Sequence, residues 1–439
     1  MRFVIQFVEP NVSRFINKDE CIILTLKMIN FERFTLNNGL RVILHFDPST
    51  PLVAVNTMYD VGARDENPDH TGFAHLFEHL MFEGSKHIPD YDHELQLAGG
   101  ENNAFTNNDI TNYYLTVPSQ NLETALWLES DRMLELAFSE EKLNIQKNVV
   151  TEEFRQTFLD QPYGDVMALL RSLVYQVHPY NWSTIGKDIQ HITRVTLPQV
   201  RDFFYRFYRP NNAIVSIAGN IDMEKTRGLV EKWFADIETG RSHVRNLPAE
   251  PQQTEKRELT VEKDVPFDEV YLAFHTGKRL DRSFYITDLI TDILAGGRSS
   301  RMMENLVRKK KVFSEANAWI SGSIDTGFLV LTGKIHKGNK AEDALELLWD
   351  EVNDLSHHLI DSYELQKVVN KAETSNVFSQ AGVLPKAMNL AYYELLGDAD
   401  MINSQDKTYF KISQDDILQT CQEIFKPSKA SVLYYLSNH

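Results

Sequence analysis

Residues 208–219 read Tyr-Arg-Pro-Asn-Asn-Ala-Ile-Val-Ser-Ile-Ala-Gly, and residues 425–436 read Phe-Lys-Pro-Ser-Lys-Ala-Ser-Val-Leu-Tyr-Tyr-Leu. Each begins with an aromatic residue, a cation and a proline, then a short polar turn, then a continuous apolar run of the kind a buried strand shows. Each also follows a helical pattern, Thr196 to Phe207 in one case and Gln414 to Phe425 in the other, which the proline cannot continue. Two copies of one closing device, roughly 210 residues apart, mark a duplicated unit rather than a solenoid of short repeats.

The order of elements ahead of the two marks is also repeated. In the first half, Phe31 to Phe46 alternates apolar and polar about Asn37-Asn38-Gly39, which predicts a hairpin. Val53 to Tyr59 reads as a strand, His70 to Phe82 as a helix and Asn103 to Val117 as strand again. Gln120 to Phe138, Glu140 to Leu159 and Tyr163 to Val177 then have helical spacing. In the second half, Val270 to His275 is a strand, Ser283 to Ala295 a helix closing at Gly296-Gly297, and Gly327 to Ile335 a strand. Helices follow at Lys340 to Ser356, Asp361 to Phe378 and Leu384 to Leu396. Strands and helices segregate rather than alternate. The expected class is therefore α+β, with two homologous domains, each a mainly antiparallel sheet covered by helices on one face. The expected boundaries are an N-terminal extension at 1–27, a catalytic domain at 28–235, a linker at 236–265 and a second domain at 266–439. The linker has Thr239-Gly240, Pro248 and Pro251 and no sustained periodicity.

Bulk properties narrow the function. A chain of 439 residues exceeds one ordinary core. A formal charge of −17 would repel a phosphate backbone, so no nucleic-acid partner is expected; a cation or a basic peptide fits. No stretch approaches the ~18–20 apolar residues of a membrane span. Cys21 and Cys421 are the only cysteines, which excludes a disulfide framework and disfavours a thiolate metal site. The apolar pieces near the N-terminus are short and separated by Lys18, Asp19 and Glu20, unlike a signal peptide. Cytoplasm is the expected compartment.

The chemistry concentrates at His75-Leu76-Phe77-Glu78-His79. Two histidines four apart on a helix project from one face, one turn apart, close enough to share one ion. Glu78 lies on that face too, while Leu76, Phe77, Leu80 and Met81 can pack in a core. With 14 His in the chain, chance supplies roughly 0.04 such pentapeptides, so a helix with incidental histidines is the weaker alternative. The third ligand is expected on the helix Glu140 to Leu159. There Leu143, Gln146, Val149, Val150, Glu153 and Phe154 share one stripe. A carboxylate inside an apolar stripe is costly unless paired or bound to metal. That selects Glu153 over Glu152, a buried ion pair being the other explanation. Two imidazoles and one carboxylate leave a Zn²⁺ ion with net positive charge, the condition for a Lewis acid.

At these residues the sequence resembles the inverzincin peptidases, the family of pitrilysin, insulysin and the mitochondrial processing peptidases, whose signature is the inverted His-x-x-Glu-His order. The likeness extends through GFAHLFEHLMFEGS (72–85), NAFTNNDITNYY (103–114), LESDRM (128–133), VVTEE (149–153), His178-Pro179-Tyr180 with Ile185-Gly186, and 208–219. The resemblance implies that His75, His79 and Glu153 bind zinc and that Glu78 is the general base. It implies also that Asn103, Ala104, Phe105 and Thr106 form an open edge to which a peptide adds as a strand, where the plainer alternative is an ordinary edge strand. Two departures stand out. Gln146 occupies a position where the family has a glutamate. In the second half Arg308 is the expected substrate-binding arginine, but Glu315 stands where a tyrosine is expected. The motif itself is replaced there by Asp288-Leu289-Ile290-Thr291-Asp292. The resemblance thus implies a zinc endopeptidase for short or unfolded peptides, one half of a peptidase chamber. The expected partner is a related zinc-less subunit carrying the arginine–tyrosine pair, with a homodimer as the other possibility. The rival class is a non-catalytic assembly subunit of the same fold, in which the zinc motif would be eroded.

Overall fold

In the computed structural model, which describes residues 28–439 apart from 242–243, together with residues 3–4 and 22–23, the apolar run after Pro210 lies inside a six-stranded sheet. The rest of the extension expected at 1–27 lies outside the described residues. The strands are β1 (Glu32–Thr35), β2 (Arg41–Phe46), β3 (Leu52–Tyr59), β4 (Glu101–Thr106), β5 (Thr111–Pro118) and β6 (Ala213–Gly219). Their spatial order is β1-β2-β6-β3-β5-β4, and only β2 and β6 run parallel. A second sheet contains β7 (Arg257–Lys263), β8 (Glu269–His275), β9 (Phe313–Ile320), β10 (Phe328–Ile335) and β11 (Ser431–Ser437). Its order is β7-β11-β8-β10-β9, again with one parallel pair, β11 with β7. Without β1 the two sheets match strand for strand, so the duplication is written in topology as well as sequence.

Two strands depart from the sequence expectation. β7 lies in the stretch read as linker. Its half-buried Leu259 and Val261 alternate with exposed Glu258, Thr260 and Glu262, too short and polar a run to stand out. β9 was not expected either, because Ser314, Glu315 and Asn317 interrupt its apolar positions.

Each sheet buries one face under its own helices. Phe73–Leu80, Leu122–Leu134, Leu197–Phe207 and Met223–Phe234 cover the first. Arg282–Ala295, Ala341–His357 and Gln414–Ile424 cover the second. The far faces are covered by exchange. Helix Val383–Leu395 of the second half lays Ala387, Leu390 and Ala391 on Ile43, Ala54, Met58, Ile214 and Ala218 of the first sheet. Helix Val166–Val174 of the first half lays Val166, Leu170 and Val174 on Tyr271, Ala273, Val330 and Leu433 of the second. This explains why every residue of β6 is buried.

Polar contacts tie the halves at the ends of the two sheets. Asp109, in the turn between β4 and β5, accepts from Arg64 at 2.6 Å, from the amide of Ile324 at 2.9 Å and from the hydroxyl of Tyr180. The Asp325 amide donates to Tyr180 at 3.0 Å, and His178 Nε2 lies 3.4 Å from Asp325. The His178-Pro179-Tyr180 block is thus a joint between the β4–β5 turn and the equivalent β9–β10 turn.

Candidate metal and peptide site

The histidine motif sits on the helix Phe73–Leu80, shorter than the span His70 to Phe82 that periodicity suggests. Gly72 precedes it with φ at 91°, and a Cβ there would come within 2.8 Å of the Ile185 carbonyl, so only glycine fits. No side chain at the N-cap satisfies the first amides. Buried Glu66 does so instead, accepting from the amides of Gly72 and Ala74 at 2.9 Å each and from Trp182 Nε1 at 3.1 Å. Leu76, Phe77 and Leu80 face the core and leave His75, Glu78 and His79 on the other face. Behind the helix, Tyr113 donates to the Phe77 carbonyl at 3.1 Å. Tyr113 is itself held by Arg132, whose guanidinium lies 4.4 Å from its ring centre and 4.9 Å from that of Tyr91. Arg132 pairs with buried Glu129, which also accepts from Thr57 at 2.6 Å and Tyr91 at 2.7 Å. The LESDRM block is therefore the packed floor under the motif.

Helix Glu140–Phe154 brings Glu153 against the two histidines. Glu153 lies 3.6 Å from His75 Nε2 and 3.4 Å from His79 Nε2, and the three potential ligand atoms are all within 4.8 Å of one another. Among the described residues no other group of His, Cys, Asp and Glu is arranged to hold a metal. Burial pushes the His75 pKa down to about 4, so this ring is neutral, the form that binds a cation. At His79 burial works the same way, but the hydrogen bond and charge of Glu153 outweigh it and raise the pKa. Glu153 is correspondingly lowered, first by its bond to His79. The donor set fits a zinc ion: two imidazoles and one carboxylate, with room for a fourth ligand because Glu153 and His79 remain partly exposed. Glu152, the neighbour not selected, is exposed and turned toward Arg155. Val149, expected in the buried stripe, is 43% exposed; the buried residues of the helix are Leu143, Gln146 and Val150, with Phe154 packed partly buried against the core.

Asn103 to Thr106 lie on β4, at the margin of the sheet with only β5 beside it. The Asn107 amide donates to the Ile110 carbonyl at 2.9 Å. Hydrogen-bonded and non-bonded pairs alternate along an antiparallel ladder. Phe105 with Asn112 is then a bonded pair, and the amides and carbonyls of Ala104 and Thr106 point outward, the Ala104 amide donating to Asn103 Oδ1 at 2.8 Å. Thr106 stands beside Glu78: burial raises the pKa of the Glu78 carboxyl, and the Thr106 hydroxyl and amide partly offset that rise.

Comparison with known proteins now bears on this arrangement. Residues 41–188 match the family described as Insulinase (Peptidase family M16), and residues 194–372 match the Peptidase M16 inactive domain. The chain belongs to the insulinase/pitrilysin-like M16 peptidase family. It is 28% identical over 414 residues to the Zinc protease PqqE of Helicobacter pylori, covering 92% of each chain. The crystal structure of a protease from Helicobacter pylori superimposes with a TM-score of 0.86 at 26% identity, covering 93% of this chain and 99% of that one. The periplasmic protease PqqL from Escherichia coli has the same fold, with a TM-score of 0.77 at 19% identity. That match covers 92% of this chain and 47% of PqqL.

The half that matches the M16 inactive domain keeps the scaffold and replaces the chemistry. At the place of the two histidines, Asp288 accepts from Tyr409 at 2.6 Å and Asp292 pairs with Lys371 at 2.6 Å. An ammonium group stands where the first half could hold a metal. Arg308 is exposed and paired with Glu304. Glu315 projects from β9 near Lys334 (3.9 Å) and accepts from Asn317 at 2.9 Å. Glu66 and Asp109 went unread in the sequence. Each lies in an ordinary polar stretch, and its role depends on partners distant along the chain.

Proposed function

We propose that this M16 protein is a zinc-dependent endopeptidase that cleaves short or unfolded peptides held as an added strand on β4. The observation that carries this reading is the convergence of His75, His79 and Glu153 beside Glu78, at the end of a sheet edge where the backbone of Ala104 and Thr106 faces outward. His75, His79 and Glu153 would hold the zinc, which when bound supplies a Lewis acid to polarise the scissile carbonyl and its attacking water. Glu78 takes the water's proton and passes it to the departing amine. The outward carbonyls of Ala104 and Thr106, with the Ala104 amide once Asn103 Oδ1 is displaced from it, would recognise an extended chain with little demand on its sequence. The chain acts as one half of a chamber. The length of PqqL, about twice that of its matched part, supports a partner subunit of the same fold, which would carry the arginine–tyrosine pair that Arg308 and Glu315 do not complete.

The test is elemental analysis with a peptide-cleavage assay on the same preparations. The wild-type chain should hold about one zinc. Glu78→Gln should keep it and lose roughly 10²–10⁴-fold in turnover, and His75→Ala should lose both. Wild-type turnover from Glu78→Gln would overturn the assignment.

A further inference from the structure

Glu83 lies just beyond the motif helix and has no part in the reaction above, yet it faces the same site. Its Oε1 accepts a hydrogen bond from Nε2 of Gln146. Gln146 is buried on the helix that carries Glu153, two turns before it and so on the same face, beside His79. A carboxylate can only accept, so the contact fixes the amide, nitrogen toward Glu83 and oxygen away from it. That oxygen is buried, and among the described residues no donor meets it within hydrogen-bond geometry. The group beside it is the His79 ring, whose Nε2 is turned toward Glu153. One protonation pattern satisfies all three side chains: a proton on the other ring nitrogen of His79, given to Gln146 Oε1. Nε2 then keeps its lone pair for a metal. The main chain steadies the arrangement, since Lys142 Nζ donates to the Glu83 carbonyl.

We propose that Glu83 is the outer carboxylate of the metal site, a positioning residue that acts through Gln146 to set the tautomer and orientation of His79. The proposal rests on the reading of His75, His79 and Glu153 as metal ligands. It makes positions 83 and 146 a matched pair. A carboxylate at 146 alone would face Glu83 with like charge, and an amide at 83 alone would leave the relay without its anion. Exchanging the two groups restores one carboxylate and one amide, with the carboxylate now directly on His79.

The experiment measures zinc affinity of the full-length protein by competition with a chromogenic chelator, with thermal melts of the metal-free proteins alongside. Glu83→Gln and Gln146→Glu should each weaken zinc binding roughly 10- to 100-fold, the usual effect of losing a group that orients a metal ligand. The double exchange should return affinity to near that of the wild type, while the melts stay together. Single variants that bind zinc as tightly as the wild type overturn the proposal. So does a double variant no better than the weaker single, since a merely structural role predicts no rescue. His79→Ala distinguishes the two levels: if it binds zinc normally, the ligand reading itself fails.

Discussion

Adjacent residues 152 and 153 show how finely a helix sorts chemistry. A step of 100° turns Glu153 to the two histidines and Glu152 to solvent beside Arg155. Glu153→Ala should therefore abolish stoichiometric zinc while Glu152→Ala retains it, as metal analysis of both variants will show. Glu66 acts at the other end of the site, as a distant cap for the motif helix. Burial pushes its carboxyl up to about 8, with the donors on Gly72, Ala74 and Trp182 pulling the other way. The folded chain then holds this proton more tightly than the unfolded chain, where the group titrates near 4.5. The stability Glu66 contributes is full below that pH and is lost as pH rises toward 8. Glu66→Gln should remove this slope. Melting temperatures of both proteins from pH 4 to 8 check it, and parallel curves would count against a raised pKa.

At the scale of elements, the open edge makes a sharp demand on the backbone. Only the outward backbone groups of β4 can meet a peptide, and the Ala104 amide, which donates to Asn103 Oδ1, takes no part in the β4–β5 ladder, so a proline there spares the sheet. Ala104→Pro should therefore leave the sheet intact and raise KM for peptides, whereas Phe105→Pro should break the pairing with Asn112 and destabilise the fold. Circular dichroism beside steady-state kinetics separates the two. The packed floor makes a different demand. Arg132→Ala leaves Glu129 buried without its counter-charge, at a cost of about 3–5 kcal/mol, measurable by urea unfolding. The metal cluster was legible in the sequence because helical spacing alone places His75, Glu78 and His79 on one face. The main strands of both sheets were legible as apolar runs. β7 and β9 were not, because an edge strand keeps one side polar and loses the run that announces it. The Glu83–Gln146 contact was hidden as well, since it joins residues 63 positions apart that no local period relates.

At the scale of the whole molecule, exchange of the helices Val166–Val174 and Val383–Leu395 makes each half complete the other's core, so the two sheets form one interlocked body. That body presents one motif face and one stripped face, and under the proposed function its second half would not complete a substrate clamp. Arg308 is engaged by Glu304. Glu315, seven residues on, is a carboxylate in solvent on the edge strand that corresponds to β4. A carboxylate cannot donate to the negative charge that develops on a carbonyl oxygen during attack, whereas a phenol can. Loss of one such donor costs roughly 10²-fold in turnover. Under the proposed function, that gap would make the isolated chain a poor enzyme even with its metal in place. Adding a zinc-less M16 chain with an intact arginine–tyrosine pair should therefore raise peptide cleavage per zinc by about that factor, saturating as the two chains reach equal concentration. Glu315→Tyr should recover part of the gain in the isolated chain, if a second copy can present the new hydroxyl to the site. The assay is cleavage of an unstructured fluorogenic peptide at fixed zinc protein across a titration of the partner. A flat titration, with Glu315→Tyr no faster than the wild type, would show that this chain closes its own chamber without the missing tyrosine.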